Sequence, residues 1–132
     1  MLAQSFLSAA DLGITEPQKE ALMKTLVLLE TGKLKHVPWS PDMRHVDSKG
    51  RTFDGYFNMA ASFAIADCGT VACIRGTAMM ISGEDFMSPM PDGLKQLFYH
   101  WKGGDPDDSQ AATALRSYLT TGDAKWHEAV AS

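Results

Sequence analysis

Apolar positions along the chain recur mostly at helical spacing, in short runs separated by Gly, Pro and Asp. Leu2, Phe6 and Ala9 or Ala10 precede Gly13, a pattern that predicts a short first helix. Thr15 and Gln18 have the spacing of a capping box, and Pro17 is tolerated in a first turn. Leu22, Leu26 and Leu29 then form one stripe, which Gly32 stops in a left-handed conformation. From Thr70 to about Ile81 the only charge is Arg75, so this run predicts a central helix buried nearly all round. Gly76 in its middle costs about 1 kcal/mol relative to Ala, which points to a packing reason for its presence. Leu94, Leu97, Phe98 and Trp101 share a face of a further helix that Gly103, Gly104 and Pro106 close. Asp107 and Gln110 make a second capping box ahead of Ala111, Ala112, Leu115, Tyr118 and Leu119. Gly122 ends that helix, and Asp123 caps a last one carrying Trp126, Ala129 and Val130. Trp101 and Leu115 lie on the stripes of their helices and are expected in the core.

Lys33 to Asp54 breaks the periodicity, with Pro38 and Pro41 bracketing Trp39 and with Gly50 and Gly55 beyond. Asn58 can cap a helical turn through Met59, Phe63 and Ala66, while Phe53 to Phe57 reads equally as a brief strand. The expectation is a mostly α, single compact domain over residues 1–132, with five or six short helices around the helix at about 70–81. A long loop occupies about 33–54, and one short strand pair near 53–57 is the alternative to a turn.

Composition narrows the functional classes. The 132 residues are 45% hydrophobic and 21% charged, the balance of a globular domain rather than a disordered tail or a repeat array. A net charge of -4 argues against general nucleic-acid or membrane-surface binding. That charge is unevenly placed. Residues 1–66 carry seven acidic and seven basic side chains, and residues 67–132 carry nine and five. Within the first half the long loop is locally basic, with Lys33, Lys35, Arg44, Lys49 and Arg51 against Asp42, Asp47 and Asp54. The longest uncharged run, Gly55 to Ala66, is shorter than the about 20 apolar residues a bilayer span needs, so no membrane association is expected. Met1 to Ala10 has no Lys or Arg and is interrupted by Gln4, Ser5 and Ser8, unlike a signal peptide. A cytoplasmic protein with both cysteines reduced follows as the expectation.

The run Cys68-Gly69-Thr70-Val71-Ala72-Cys73-Ile74-Arg75-Gly76-Thr77-Ala78 resembles a Cys-Gly-Thr-x-Ala-Cys-Ile-x-Gly-Trp-Ala signature of small proteins from bacteria and their phages. Phe57-Asn58-Met59 upstream is similar to the same family, as are Leu97-Phe98, Gln110 to Leu119, Thr121-Gly122 and Trp126 downstream. The resemblance spans roughly the C-terminal two-thirds of the chain. It departs at Thr77, where the family usually has Trp. It implies a shared fold and a phage or mobile-element setting, and it brings no activity with it.

Several residue groups are candidates for chemistry. Cys68 and Cys73 flank the expected helix start, where unpaired N–H groups and the helix dipole favour a thiolate; a nucleophile or redox pair is one reading, buried structural thiols the other. No metal site is expected, because His36, His45, His100 and His127 lack ligand spacing with each other or with the cysteines. Gly69 and Thr70 at a helix mouth, with Arg75 a turn further on, would suit an anion; a plain N-cap is the alternative. Arg44, Lys49 and Arg51 with Trp39, Phe53, Tyr56 and Phe57 could neutralise and stack a nucleotide, or form a solvated loop anchored by aromatics. Met79, Met80, Met87 and Met90 suit core gaps better than a partner groove. Neither a P-loop nor a dinucleotide-binding glycine pattern is present, and no cofactor is expected.

These features favour a non-enzymatic binding protein of phage or mobile-element type that captures a host protein or an anionic, nucleotide-like ligand. Arg44, Lys49, Arg51, Gly69, Thr70, Arg75 and Trp39 are its candidate ligand-binding residues. A small cysteine-dependent or redox enzyme using Cys73 or Cys68 is the first alternative, and a structural or regulatory protein-interaction module the second. Homo-oligomerisation is left open.

Overall fold

A computed structural model describes residues 6–38, 41, 43–46, 53–59, 63–66, 69–83, 86, 90–101 and 106–129. Among them the chain forms six helices and a five-stranded sheet. The helices are α1 (Ala9–Leu12), α2 (Glu16–Glu30), α3 (Ile74–Ser82), α4 (Asp92–Tyr99), α5 (Asp108–Thr121) and α6 (Trp126–Ala129). The strands are β1 (Lys35–His36), β2 (Arg44–His45), β3 (Tyr56–Phe57), β4 (Ala64–Ala66) and β5 (Gly69–Ala72).

Both expected capping boxes form. Thr15 Oγ1 accepts from the Gln18 N–H at 3.2 Å while Gln18 Oε1 accepts from the Thr15 N–H at 2.9 Å, and Asp107 and Gln110 make the same exchange at 2.8 and 3.0 Å. Each pair satisfies orphan donors at a helix start and fixes where the helix begins. The stripe of α2 buries Leu22, Leu26 and Leu29 together with Ala21 and Thr25. Thr25 tolerates this because its hydroxyl donates to the Ala21 carbonyl at 2.9 Å. α2 packs chiefly on α3 and α5, and α5 in turn touches α4 and α6. Leu115 is fully buried as expected, whereas Trp101 is half-buried at the margin of the core.

Two boundaries differ from the pattern. The central helix starts at Ile74, four residues later than expected, because Gly69-Thr70-Val71-Ala72 is the middle strand of the sheet. Thr and Val are β-branched, and an apolar run reads alike for a buried helix and a buried strand. The sheet is also larger than one strand pair. Its order is β1-β3-β5-β4-β2, with β1, β3 and β5 parallel and β4 antiparallel to both β5 and β2. β1 and β2 come from the segment expected to be loop; at two residues each they leave no periodicity to read. The strand reading near 53–57 holds, as β3, and α1 is confined to a single turn behind the Ser8 cap.

Side chains alternate across the sheet. Phe57 faces the helices and joins the main core, while Tyr56, Ala64 and Val71 meet Met43 and Val37 in a smaller cluster on the opposite face. Asn58 follows β3 fully buried, and its side-chain amide donates to the Val37 carbonyl at 2.8 Å. At the other end of the molecule the Trp126 indole N–H is shared between the carbonyls of Gln96 and Leu97, each at 3.1 Å. The Gln96 carbonyl also accepts from the His100 N–H at 3.1 Å, whereas Leu97 lies in the last turn of α4, where carbonyls lack helical partners, so α6 caps the end of α4 through a tertiary contact.

Gly93, in the first turn of α4, packs directly on the Gly122 carbonyl and lies near the Tyr118 ring. Helix propensity alone favours Gly93→Ala by about 1 kcal/mol. The added methyl would collide with backbone that cannot yield, so the expected outcome is a lower melting temperature, measured by calorimetry. Tyr118 is fully buried with no partner for its hydroxyl among the described residues, and burial pushes its pKa up to about 12. An unfolded tyrosine ionises near its ordinary value of about 10. The unfolded chain therefore loses a proton that the native state keeps, and stability present below pH of about 10 is expected to fall progressively towards pH of about 12. Tyr118→Phe removes the orphan hydroxyl; urea unfolding should find it at least as stable as the parent at neutral pH and less sensitive between those limits.

Candidate functional site

The residues singled out around the Cys-Gly-Thr run do not open a helix. Thr70 lies inside β5 and is buried, and its N–H donates to Asp54 Oδ2 at 2.7 Å. Gly69 has φ +127, and a side chain there would run into the same carboxylate. The position expected to attract an anion is thus occupied by the protein's own negative charge. Arg75 is half-buried in the first turn of α3, with Nε donating to the Phe86 carbonyl at 3.4 Å. Arg44 is exposed on the edge strand β2. Its register with Ile65, and that of Ile65 with Thr70, places Arg44 and Thr70 in one row across three strands, roughly 10 Å apart at ordinary strand spacing. Trp39, Lys49, Arg51 and Cys68 lie outside the described residues, so of the candidate ligand-binding residues on the basic segment only Arg44 has a structural position.

Cys73 is the residue that caps α3, its sulfur accepting from the Gly76 N–H at 3.4 Å. The thiol is free and buried. Burial pushes its pKa up, against the smaller opposing pull of the Gly76 and Arg75 N–H groups and the Arg75 charge. A helix N-terminus can lower a thiol pKa where solvent supports the charge, but here desolvation wins. Among the described residues no three His, Cys, Asp or Glu side chains converge as a metal site. No helix among them is long and apolar enough to cross a membrane.

A well-formed concavity lies elsewhere. A cleft of about 710 Å³ opens between the C-terminal end of α2, the outer face of α5 and the start of α6. Leu29, Ala112, Ala124 and Ala129 line its apolar part and are all buried. Small side chains on α5 and α6 keep it hollow. Arg116 lines one wall, held by Glu30 through Nε at 2.8 Å and Nη2 at 2.7 Å, with the Phe6 ring 5.5 Å from the guanidinium. The Glu30 hydrogen bonds raise the Arg116 pKa further, so its charge is permanent. Both partners are more than a third exposed, which limits the pair to about 1 kcal/mol or less of stability and makes it chiefly a positioning device.

Hydroxyls from α5 supply much of the remaining polarity. Thr113, Ser117, Thr120 and Thr121 donate to the backbone carbonyls of Ser109, Asp123, Arg116 and Ser117 at 3.1, 2.7, 2.8 and 2.7 Å. Their protons are thereby committed, and their oxygens keep lone pairs for an incoming donor. Lys125, at the entrance to α6, also lines the cleft and has φ +52, the only described non-glycine residue with positive φ. A smaller recess on its other side, of about 300 Å³, includes His100, His127 and Trp126. Sequence reasoning placed α5 and its caps correctly but missed this cleft, because Glu30, Arg116 and Lys125 come from three elements that no motif connects.

No protein-family model matches the chain, and no curated protein or solved structure matches it significantly.

The state of Cys73 is open to a direct check. Alkylation of the folded protein by iodoacetamide at pH of about 6 should leave Cys73 unmodified, with labelling appearing only on unfolding, as mass spectrometry of its peptide would show. Rapid native-state labelling there would restore a cysteine-based activity as the leading reading.

Proposed function

We propose that the protein is a non-catalytic binding protein, of the phage or mobile-element kind that its Cys-Gly-Thr run suggests, and that it seats a small ligand in the cleft between α2, α5 and α6. The observation that carries this reading is the cleft's make-up. It joins a buried apolar floor to a few polar groups whose positions are fixed by other bonds, at a volume within the about 300–1,000 Å³ typical of small-molecule sites. The cysteine alternative is weakened by the burial of Cys73, and the anion site expected at Gly69 and Thr70 by the Asp54 carboxylate already bonded there. A host-protein partner remains the second reading, with exposed Arg44 on the β2 edge as its natural contact.

Amide chemical shifts recorded against a mixed panel of small metabolites test the proposal. Ligand-induced shifts should cluster on residues 29–32, 108–121 and 124–129, and Thr113→Trp, which fills the cleft from its exposed rim, should abolish them. Shifts confined to the strand residues around Arg44 would move the site to the sheet edge. A panel that shifts nothing in the cleft would overturn the small-ligand reading.

A further inference from the structure

Phe6 and Leu7 lie in no helix or strand, yet they are fastened to α5 at two points. The Leu7 N–H donates to the Leu119 carbonyl at 2.8 Å, and Leu119 lies in the last turn of α5, where carbonyls lack helical partners. One turn back along the same helix, the Arg116 guanidinium sits over the Phe6 ring, 5.5 Å from its centroid. The two contacts of Arg116 use different properties of the group. Glu30 takes the Nε and Nη2 donors, while the ring offers its electron-rich face to the positive charge. The bidentate carboxylate thereby holds the charge in place for the ring. Glu30 and Arg116 are each more than a third exposed, so this fastening is weak enough for a local event to undo.

We infer that the segment from Phe6 to Ser8 is a strap latched to the wall of the cleft by Arg116, and that the Glu30–Arg116 pair governs whether it is held. At the far end of the strap Ser8 caps α1, which fixes a point about which the segment lifts. Glu30 and Arg116 both line the cleft. An occupant that draws either of them from the other removes the support beneath Phe6 and leaves the Leu7 N–H as the strap's one printed bond to α5. Phe6 and Leu7 also rest against the main core, so release frees the strap without unfolding the domain. The coupling runs both ways, since whatever lifts the strap from outside alters the cleft's affinity by the same factor. Only this regulatory use rests on the cleft as a ligand site; the latch itself does not.

Amide hydrogen exchange of the full chain, followed by NMR, tests the latch at the Leu7 N–H. Glu30→Gln removes the ion pair, and Phe6→Leu keeps an apolar contact but loses the ring. Each should speed Leu7 exchange about threefold or more, as the loss of one contact of this strength implies. The Thr77 N–H, bonded to the Cys73 carbonyl at 2.8 Å, should exchange as in the parent. Thr113 lies one turn before Arg116 and lines the cleft, so Thr113→Trp mimics occupancy; it should speed Leu7 in the parent and add nothing in the Glu30→Gln background. Unchanged Leu7 exchange in both Glu30→Gln and Phe6→Leu would overturn the latch. Parallel acceleration of Leu7 and Thr77 would overturn it too, because the strap would then open only with the whole fold. A Leu7 amide that responds to those two variants and ignores Thr113→Trp would overturn the link to the cleft. A metabolite panel that shifts nothing in the cleft, with every exchange response present, defeats the ligand site and leaves the latch standing.

Discussion

The position of α2 between α3 and α5 is the constraint on which the rest of the structure depends. Its buried stripe of Leu22, Leu26 and Leu29 touches both neighbours, so one helix sets the distance between the sheet layer and the α5 layer. The sheet has strands of two to four residues and could not hold its shape unaided. It acquires rigidity because β5 runs through Cys73 directly into α3, which is itself clamped by α2. On the other flank α5 presents alanines to the end of α2, and the shortfall of side-chain volume there is the cleft.

What could be read from the sequence follows from the range of the interactions involved. The capping boxes at Thr15 and Asp107 are local, so residue identity at fixed spacing was enough to locate α2 and α5. The faces of α4 and α5 were legible for the same reason, down to Leu94, Leu97, Phe98 and Leu115. The 69–72 segment was not, because an uncharged run of small and β-branched residues has no preferred period, and its identity as the central strand is decided by β3 and β4 on either side. β1 and β2 are decided wholly by such partners. The cleft is the extreme case, since its walls are separated by up to about a hundred residues and meet only after folding is complete.

Electrostatics sharpens the same point. Counting charges along the chain gave the basic segment to 33–54 and the negative excess to the second half, yet an anion responds to unpaired charge at a particular place rather than to a segment's sum. Asp54 turns the backbone N–H of Thr70 from a vacant donor into a satisfied one, and the Phe86 carbonyl draws Arg75 inward. In the acidic half, Arg116 and Lys125 retain donors without acceptors among the described residues. The sign of a neighbourhood is set by which charges already have partners.

The meeting of Gly93 with Gly122 also bears on ancestry. Gly93, at the start of α4, has no room for a side chain because the Gly122 carbonyl lies against it, whereas Gly122, 29 residues on and just beyond α5, has open space around it and is held to glycine by its φ of +85. Gly93 cannot gain a side chain unless the turn after α5 moves away from it. Any chain that keeps this junction of α4 and α5 must keep a residue without a side chain where Gly93 stands, whatever else in its sequence has changed.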